Sequence, residues 1–381
     1  ADTTAATTEG SSSTTATDDA TTGEPPGEPD YGEPGVHPVG HTRIVIDDAS
    51  GMRMLPVEIW YPADPAAAAE AEVGVPLPEL EPPGPERDLL TDLVADAPAG
   101  CTRAQTRSAS EADPAAAAAP YPLVVFSHCH ECIRFSSFSI AERLASHGFA
   151  VAAVDHVDNT LYDAQAGNGV PLTSEFLAVR ATDVARVLDV LLDPGAPELP
   201  PALAGRFDPA RVGAMGHSFG AVTTGLVLQD DDRVRAGVVI AAPVQNPLLP
   251  GVSLAEIDEP MLMMLAQEDN SILEVGNVLL RGNFADANPP VWLVEFADAG
   301  HWSFSDVCGL VPAFDPGCGD GLRQTQPLTP FTYLDNELAR DIAASYAARF
   351  FAAHLRGEAA ADAELDAAEP AEIVTVSVRR E

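Results

Sequence analysis

Gly216, Ser218 and Gly220 stand at G-x-S-x-G spacing within Arg211-Val-Gly-Ala-Met-Gly-His-Ser-Phe-Gly-Ala221. An apolar run ends at Gly216 and a helix-compatible run begins at Ala221, so the serine falls in the strand–turn–helix setting of a nucleophile elbow. Such a turn holds the serine in a strained backbone conformation with its hydroxyl lifted above the sheet. The two glycines mark places where neighbouring backbone passes too close for a Cβ. The serine also opens a helix, whose free N–H groups favour a developing negative charge. The chemistry is attack by Ser218 on a carbonyl carbon.

A serine hydroxyl needs a base to take its proton, and the base needs an orienting carboxylate. His301 follows the apolar run Val291–Phe296 and is the expected base. Asp269 follows the run Pro260–Ala266 and is the expected acid, with Glu268 and Asp298 as its nearest competitors. Ser218, Asp269 and His301 come in the chain order of the α/β-hydrolases. Two backbone N–H donors must receive the oxyanion. One is expected from Phe219, the other from His130 in the loop His128-Cys-His-Glu-Cys132, with Cys129 the near alternative. That loop is rich in metal-ligating types, but no second ligand pair appears elsewhere, and neither metal nor cofactor is expected. Trp302, Phe304, Phe135 and Phe219 could give a substrate an apolar surface. Of the other histidines, His147 and His156 read as structural, His217 as the variable elbow position, and His37, His41 and His354 as solvent-facing.

Apolar runs alternating with helical patterns must carry these residues. Runs at 121–127, 149–155, 211–215, 234–242, 260–266 and 291–296 read as buried strands. Helical periodicity covers 137–147, 174–192, 221–229, 271–281 and 336–356. Two extended runs at 42–47 and 55–61 read as an antiparallel pair opening the sheet, and 371–378 as a late edge strand. The fold class is α/β: a mostly parallel central sheet with helices on both faces. Residues 63–120, rich in Ala, Pro, Glu and Asp, form an excursion over one end of a single domain spanning 37–381 and could wall the active site.

The 381 residues carry a formal net charge of −38, and all 20 basic residues are arginine. Such a charge argues against nucleic-acid or anionic-membrane partners, and no apolar run is long enough to span a bilayer. Residues 1–36 are Thr, Ser, Pro and acidic types with little to bury, and read as a disordered tether. The composition suggests a secreted or surface-tethered bacterial protein, with a lipid anchor possible upstream of residue 1, acting as a monomer. Of five cysteines, Cys308 and Cys318 flank a short loop and are the expected disulfide; a second bridge would involve Cys129 or Cys132, with Cys101 as a candidate partner.

The chain resembles the platelet-activating factor acetylhydrolase-like branch of the α/β-hydrolases, close to the dienelactone hydrolase group. The similarity runs from about Thr42 to Arg356 apart from the excursion. It is carried by Val57-Glu-Ile-Trp-Tyr-Pro62, Val125-Phe-Ser-His128, Leu144-Ala-Ser-His-Gly-Phe149, Asp155-His-Val-Asp-Asn-Thr160, Gly216-His-Ser-Phe-Gly220 and Gly300-His-Trp-Ser-Phe304. The resemblance implies a Ser–His–Asp ester hydrolase with Ser218 as nucleophile and His301 as base, working through an acyl-enzyme. Small or polymeric esters, including cutinase-like polyester substrates and phospholipids, are the candidates. There are departures. Cys129, Glu131 and Cys132 replace glycines of the family's oxyanion loop, and no carboxylate follows Val239-Ile-Ala-Ala-Pro243, which favours an acid after the next strand, at Asp269. The dienelactone hydrolases proper use a cysteine nucleophile, and Ser218 argues against that chemistry. A non-catalytic binding protein on the same scaffold is disfavoured because every triad type is present in order.

Overall fold

The computed structural model describes residues 1–2 and 29–381; most of the expected tether lies outside the described residues. Ten strands make one sheet. Chain entry is antiparallel: β1 (Val39–Asp47) pairs with β2 (Met54–Pro62), and β2 pairs antiparallel with β5 (Ala150–Val154). β3 (Ala109–Ser110) lies against β1. From β5 the sheet runs parallel through β4 (Tyr121–Ser127), β6 (Phe207–His217), β7 (Val234–Ile240), β8 (Met261–Ala266) and β9 (Val291–Phe296). β10 (Asp320–Leu322) and β11 (Pro330–Thr332) form a separate hairpin, and β12 (Val374–Arg379) closes the far edge antiparallel to β9.

The central strands β4, β5 and β8 are buried along their whole length, as a sheet covered on both faces requires. Alternation along β4 splits the core: Val124 and Phe126 face one cluster, Leu123 and Val125 the other. The helices, in chain order, are α1 (Pro65–Glu70), α2 (Pro85–Asp96), α3 (Phe138–Ser146), α4 (Leu161–Gln165), α5 (Ser174–Leu192), α6 (Phe219–Asp230), α7 (Leu273–Asp286), α8 (Asn336–Arg356) and α9 (Ala359–Glu364). α3 and α8 cover the first cluster, α5 and α6 the second. Thr173 caps α5 by accepting from the Phe176 amide at 3.1 Å, and Gly357, at φ +73°, ends α8 in the left-handed conformation that glycine permits.

The chain leaves β4 to form β5 on one side and then returns to form β6 on the other. The carboxyl ends of β4 and β6 therefore flank a topological switch point, where open α/β sheets bind ligands. Ser127 is paired with Gly216, which puts the loop after β4 beside the elbow.

Three expectations change here. The end of the tether belongs to the domain: Tyr31 is buried, its ring lies 4.7 Å from that of His147, and its hydroxyl donates to Glu358. Tyr31, with hydrogen bonds from Arg143 to the Tyr31 and Gly32 carbonyls and from the Gly35 amide to Ser146, seats this segment against α3 and α8. His41 is buried rather than solvent-facing, with Nδ1 at 3.0 Å from the Ser108 hydroxyl. The Cys308–Cys318 pairing does not occur. Cys318 is bonded to Cys101, 217 residues away, with Cα atoms 5.6 Å apart, and Cys129 is bonded to Cys132. Cys308 is a free, fully buried thiol turned toward the Phe314 carbonyl. The first bridge joins the excursion to the loop that follows His301.

Candidate active site

The elbow is formed by close backbone packing. Ser218 has φ +57° and ψ −118°, a conformation that non-glycine residues seldom adopt. A Cβ on Gly216 would meet the Gly220 carbonyl oxygen at 2.1 Å, and one on Gly220 would meet the Ser127 carbonyl oxygen at 1.8 Å. Neither position accepts a side chain, so both glycines are steric requirements of the turn. The Ser218 amide is anchored to the Ile240 carbonyl at 2.8 Å. Its half-buried side chain lines a cleft of about 280 Å³.

His301 and Asp269 meet. His301 Nδ1–H donates to Asp269 Oδ2 at 2.8 Å, while Asp269 Oδ1 accepts from the amides of Ser271 and Ile272 at 3.0 Å each. Both side chains are buried, and the arrangement leaves Nε2 of His301 as the nitrogen able to take a proton. Glu268 and Asp298 are occupied elsewhere: Arg323 bridges them at 3.0 and 2.5 Å, and Glu268 also accepts from the Gln324 amide at 2.7 Å. Among the described residues no hydrogen bond joins the Ser218 hydroxyl to His301. The two are linked instead through His217, whose Nε2–H donates to the His301 carbonyl at 2.9 Å. Burial and the adjacent His301 ring, 4.9 Å away, hold His217 neutral. His217 is a support of His301 that residue type and spacing did not reveal; its signal was a histidine next to the serine.

Among the described residues the amides of Phe219 and His130 donate no hydrogen bond within the protein. The Cys129–Cys132 bridge spans His130 and Glu131, and Glu131 sits at φ +56° where the family loop has glycine. His128 fits no metal role: its Nδ1–H donates to the Cys129 carbonyl at 2.6 Å and its Nε2 accepts from the His156 amide at 3.0 Å.

The aromatic surface expected around the base is largely core. Phe304 is fully buried edge-on to Phe296, with centroids 4.9 Å apart, and Phe135 is fully buried beneath the Arg134 guanidinium. Neither can touch a substrate. Trp302 stacks on Phe314 at 3.9 Å and packs edge-on to His301, so it backs the imidazole and does not line the cleft. Of the expected aromatics only Phe219 lines it. Leu248 and Leu249, on the loop between β7 and β8, and Ile272 and Val275 at the start of α7 contribute much of the remaining apolar wall. Their apolar character was visible in the sequence, but not that this loop and helix close over Ser218.

Residues 31–166 match the family described as platelet-activating factor acetylhydrolase, isoform II, and residues 108–307 match the dienelactone hydrolase family. The chain is 32% identical over 155 residues to the platelet-activating factor acetylhydrolase of Bos taurus and 34% over 150 residues to that of Cavia porcellus. Each alignment covers 32% of this chain and, respectively, 35% and 34% of the relative, so the chain matches about a third of their length. In fold it is similar to a ferulic acid esterase from Streptomyces cinnamoneus, with a TM-score of 0.60 at 24% identity, over 84% of this chain and 90% of that one.

Proposed function

We propose, from the premise that the chain belongs to the dienelactone hydrolase family of α/β-hydrolases, that it is a serine carboxylic ester hydrolase. His301 Nε2 takes the Ser218 proton as the hydroxyl attacks the ester carbonyl; Asp269 holds the tautomer, and the Phe219 and His130 amides receive the oxyanion. The alcohol leaves with the proton from His301, and water then releases the acid. The observation that carries this reading is the 2.8 Å bond from His301 Nδ1 to Asp269, beside a strained Ser218 that opens into an apolar cleft. A serine in place of the cysteine nucleophile separates it from the dienelactone hydrolases proper. Among the described residues no charged side chain lines the cleft, which favours an uncharged acyl group.

The substrate is a small or polymeric ester. A specific feature favours a second reading, a polyester or other aggregated ester: Leu248 and Val275 on the cleft wall are 85% and 65% exposed, with Leu273 and Val278 exposed on the same helix. Phospholipids with short acyl chains are a third. Export from a bacterial cell, with the tether holding a monomer at the surface, suits this substrate range. Among the described residues no helix is long and apolar enough to cross a membrane.

A fluorophosphonate probe tests the chemistry: it should label the wild-type protein and not Ser218→Ala, and an unlabelled wild type would sink the hydrolase reading. p-Nitrophenyl esters of rising chain length, assayed beside a polyester film, then separate the substrate classes.

A further inference from the structure

The two oxyanion donors lie on separate segments, Phe219 on α6 and His130 after β4, and their separation must be held to within a fraction of an ångström. Arg180 of α5 touches both segments. Its guanidinium lies over the Phe219 ring, 4.5 Å from the centroid. One Nη donates to Asn159 Oδ1 at 2.9 Å; the other donates to the Ser127 hydroxyl at 3.0 Å and to the His128 carbonyl. Asn159, its amide oriented by that contact, donates to His130 Nδ1 at 2.7 Å and to the Val170 carbonyl at 2.9 Å.

Ser127 is itself held. Having accepted from Arg180, its hydroxyl donates to His156 Nε2 at 2.9 Å, and His156 Nδ1–H donates to Asp183 at 3.0 Å. Arg53 secures Asp183 at 2.5 Å. Ser127, His156 and Asp183 thus repeat the wiring of a Ser–His–Asp array in a place no substrate reaches, with exposures of 2%, 0% and 1%. With every proton in the chain assigned, the array is a rigid support, not a second nucleophile.

We propose that Arg180 is a positioning residue for ester hydrolysis: by gripping Phe219 on one side and Ser127, His128 and Asn159 on the other, it sets the spacing of the two oxyanion donors. The inference rests on the reading of Ser218 as nucleophile. Energetics support it. Arg180 is fully buried; among the described residues its hydrogen-bond partners are neutral oxygens, and burial, opposed in part by Asp183, pushes its guanidinium down to about 9. A buried charge with no carboxylate bonded to it, and Asp183 only at a distance, is expensive, and a core that needed only packing would be better served by an apolar side chain.

The test compares Arg180→Met, Arg180→Lys and Asn159→Ala with wild type on a short p-nitrophenyl ester. Alongside, it measures inhibition by an alkyl boronic acid, whose tetrahedral adduct uses the oxyanion donors, and by the product carboxylic acid. For Arg180→Met, kcat should fall on the order of 10–10²-fold with KM within about twofold, and boronate affinity should fall in parallel while product affinity holds. Lysine should restore little, because an ammonium keeps the charge but not the planar fork. A kcat within about threefold of wild type, a loss carried by KM, or unchanged boronate affinity overturns the proposal. If neither Arg180 variant folds, Asn159→Ala decides on the same readouts: a kcat loss with weaker boronate binding supports it, and unchanged values overturn it. Should wild type hydrolyse no ester and take no fluorophosphonate, the functional reading falls and this inference with it. An active wild type with indifferent variants removes the positioning role alone.

Discussion

Asp269→Asn gives a worked prediction, because both oxygens of this carboxylate are assigned. Oδ1 accepts from two amides, those of Ser271 and Ile272, and Oδ2 accepts from His301 Nδ1–H. In the asparagine variant the two amides still require an acceptor, so they keep the carbonyl oxygen and turn the NH2 toward His301. An NH2 facing Nδ1 forces that nitrogen to accept, and the ring proton moves to Nε2, where the base must be empty. The geometry survives while the tautomer is wrong. Holding the wrong tautomer in a Ser–His–Asp array costs on the order of 10⁴ in kcat. The assay is single-ester kinetics with thermal unfolding as the control for folding. KM should stay near wild type, since the cleft is untouched. Glu268→Gln and Asp298→Asn, whose carboxylates Arg323 occupies, should leave kcat within about threefold. An Asp269→Asn enzyme within about tenfold of wild type would refute the tautomer argument and reopen the choice of acid.

Three further outcomes are expected. Leu248→Asp places a charge on the exposed cleft rim; hydrolysis of a soluble short ester should change little, while release from a polyester film falls by roughly tenfold, the value of one leucine withdrawn from an apolar contact. Cys101→Ser opens a bridge that spans 217 residues; the unfolding temperature should drop by the equivalent of about 2–5 kcal/mol, with fluorophosphonate labelling of Ser218 retained. Glu142 is pushed by burial from 4.5 to about 7, so the folded chain holds a proton the unfolded chain has lost between those values, and stability falls as pH rises through that window. Glu142→Gln should flatten that decline between pH 5 and pH 8, read as unfolding temperature against pH.

Much of the scaffold could be read from residue order because its signals are local. β5 and β8 are continuous apolar runs and β4, β7 and β9 nearly so, and the elbow announces itself through glycines whose Cβ atoms would strike backbone. Asp269 and His301 were legible because each follows a recognisable strand. What escaped depends on contacts distant in sequence. Nothing in the spacing of Cys308 and Cys318 says that the excursion brings Cys101 to within 5.6 Å of the Cα of Cys318. The hairpin of β10 and β11 has only three residues per strand and no alternation to detect. Trp302, Phe304 and Phe135 failed as cleft residues for a related reason: an aromatic near the chemistry in sequence is as able to pack beneath it as to face it, and burial decides.

Two fully buried guanidiniums show what separates framework from site. Arg134 meets Glu81 at 2.5 Å, Asp155 at 2.7 Å and Glu58 at 3.3 Å, tying the excursion, β2 and the end of β5 together, and these carboxylates hold it well above its ordinary pKa. Arg180 is no less buried, yet its partners are a hydroxyl, a carbonyl, an amide oxygen and an aromatic ring. Asp183 offsets the Arg180 charge only from a distance, through Ser127 and His156, whereas three carboxylates bond Arg134 directly. On the proposed mechanism a carboxylate bonded there would stand next to the segments that receive the oxyanion, where like charge would oppose the reaction. Neutral partners keep the fork rigid without adding that repulsion. On the proposed mechanism the charge of Arg180, offset only in part by Asp183, lies between the two segments that would receive the oxyanion.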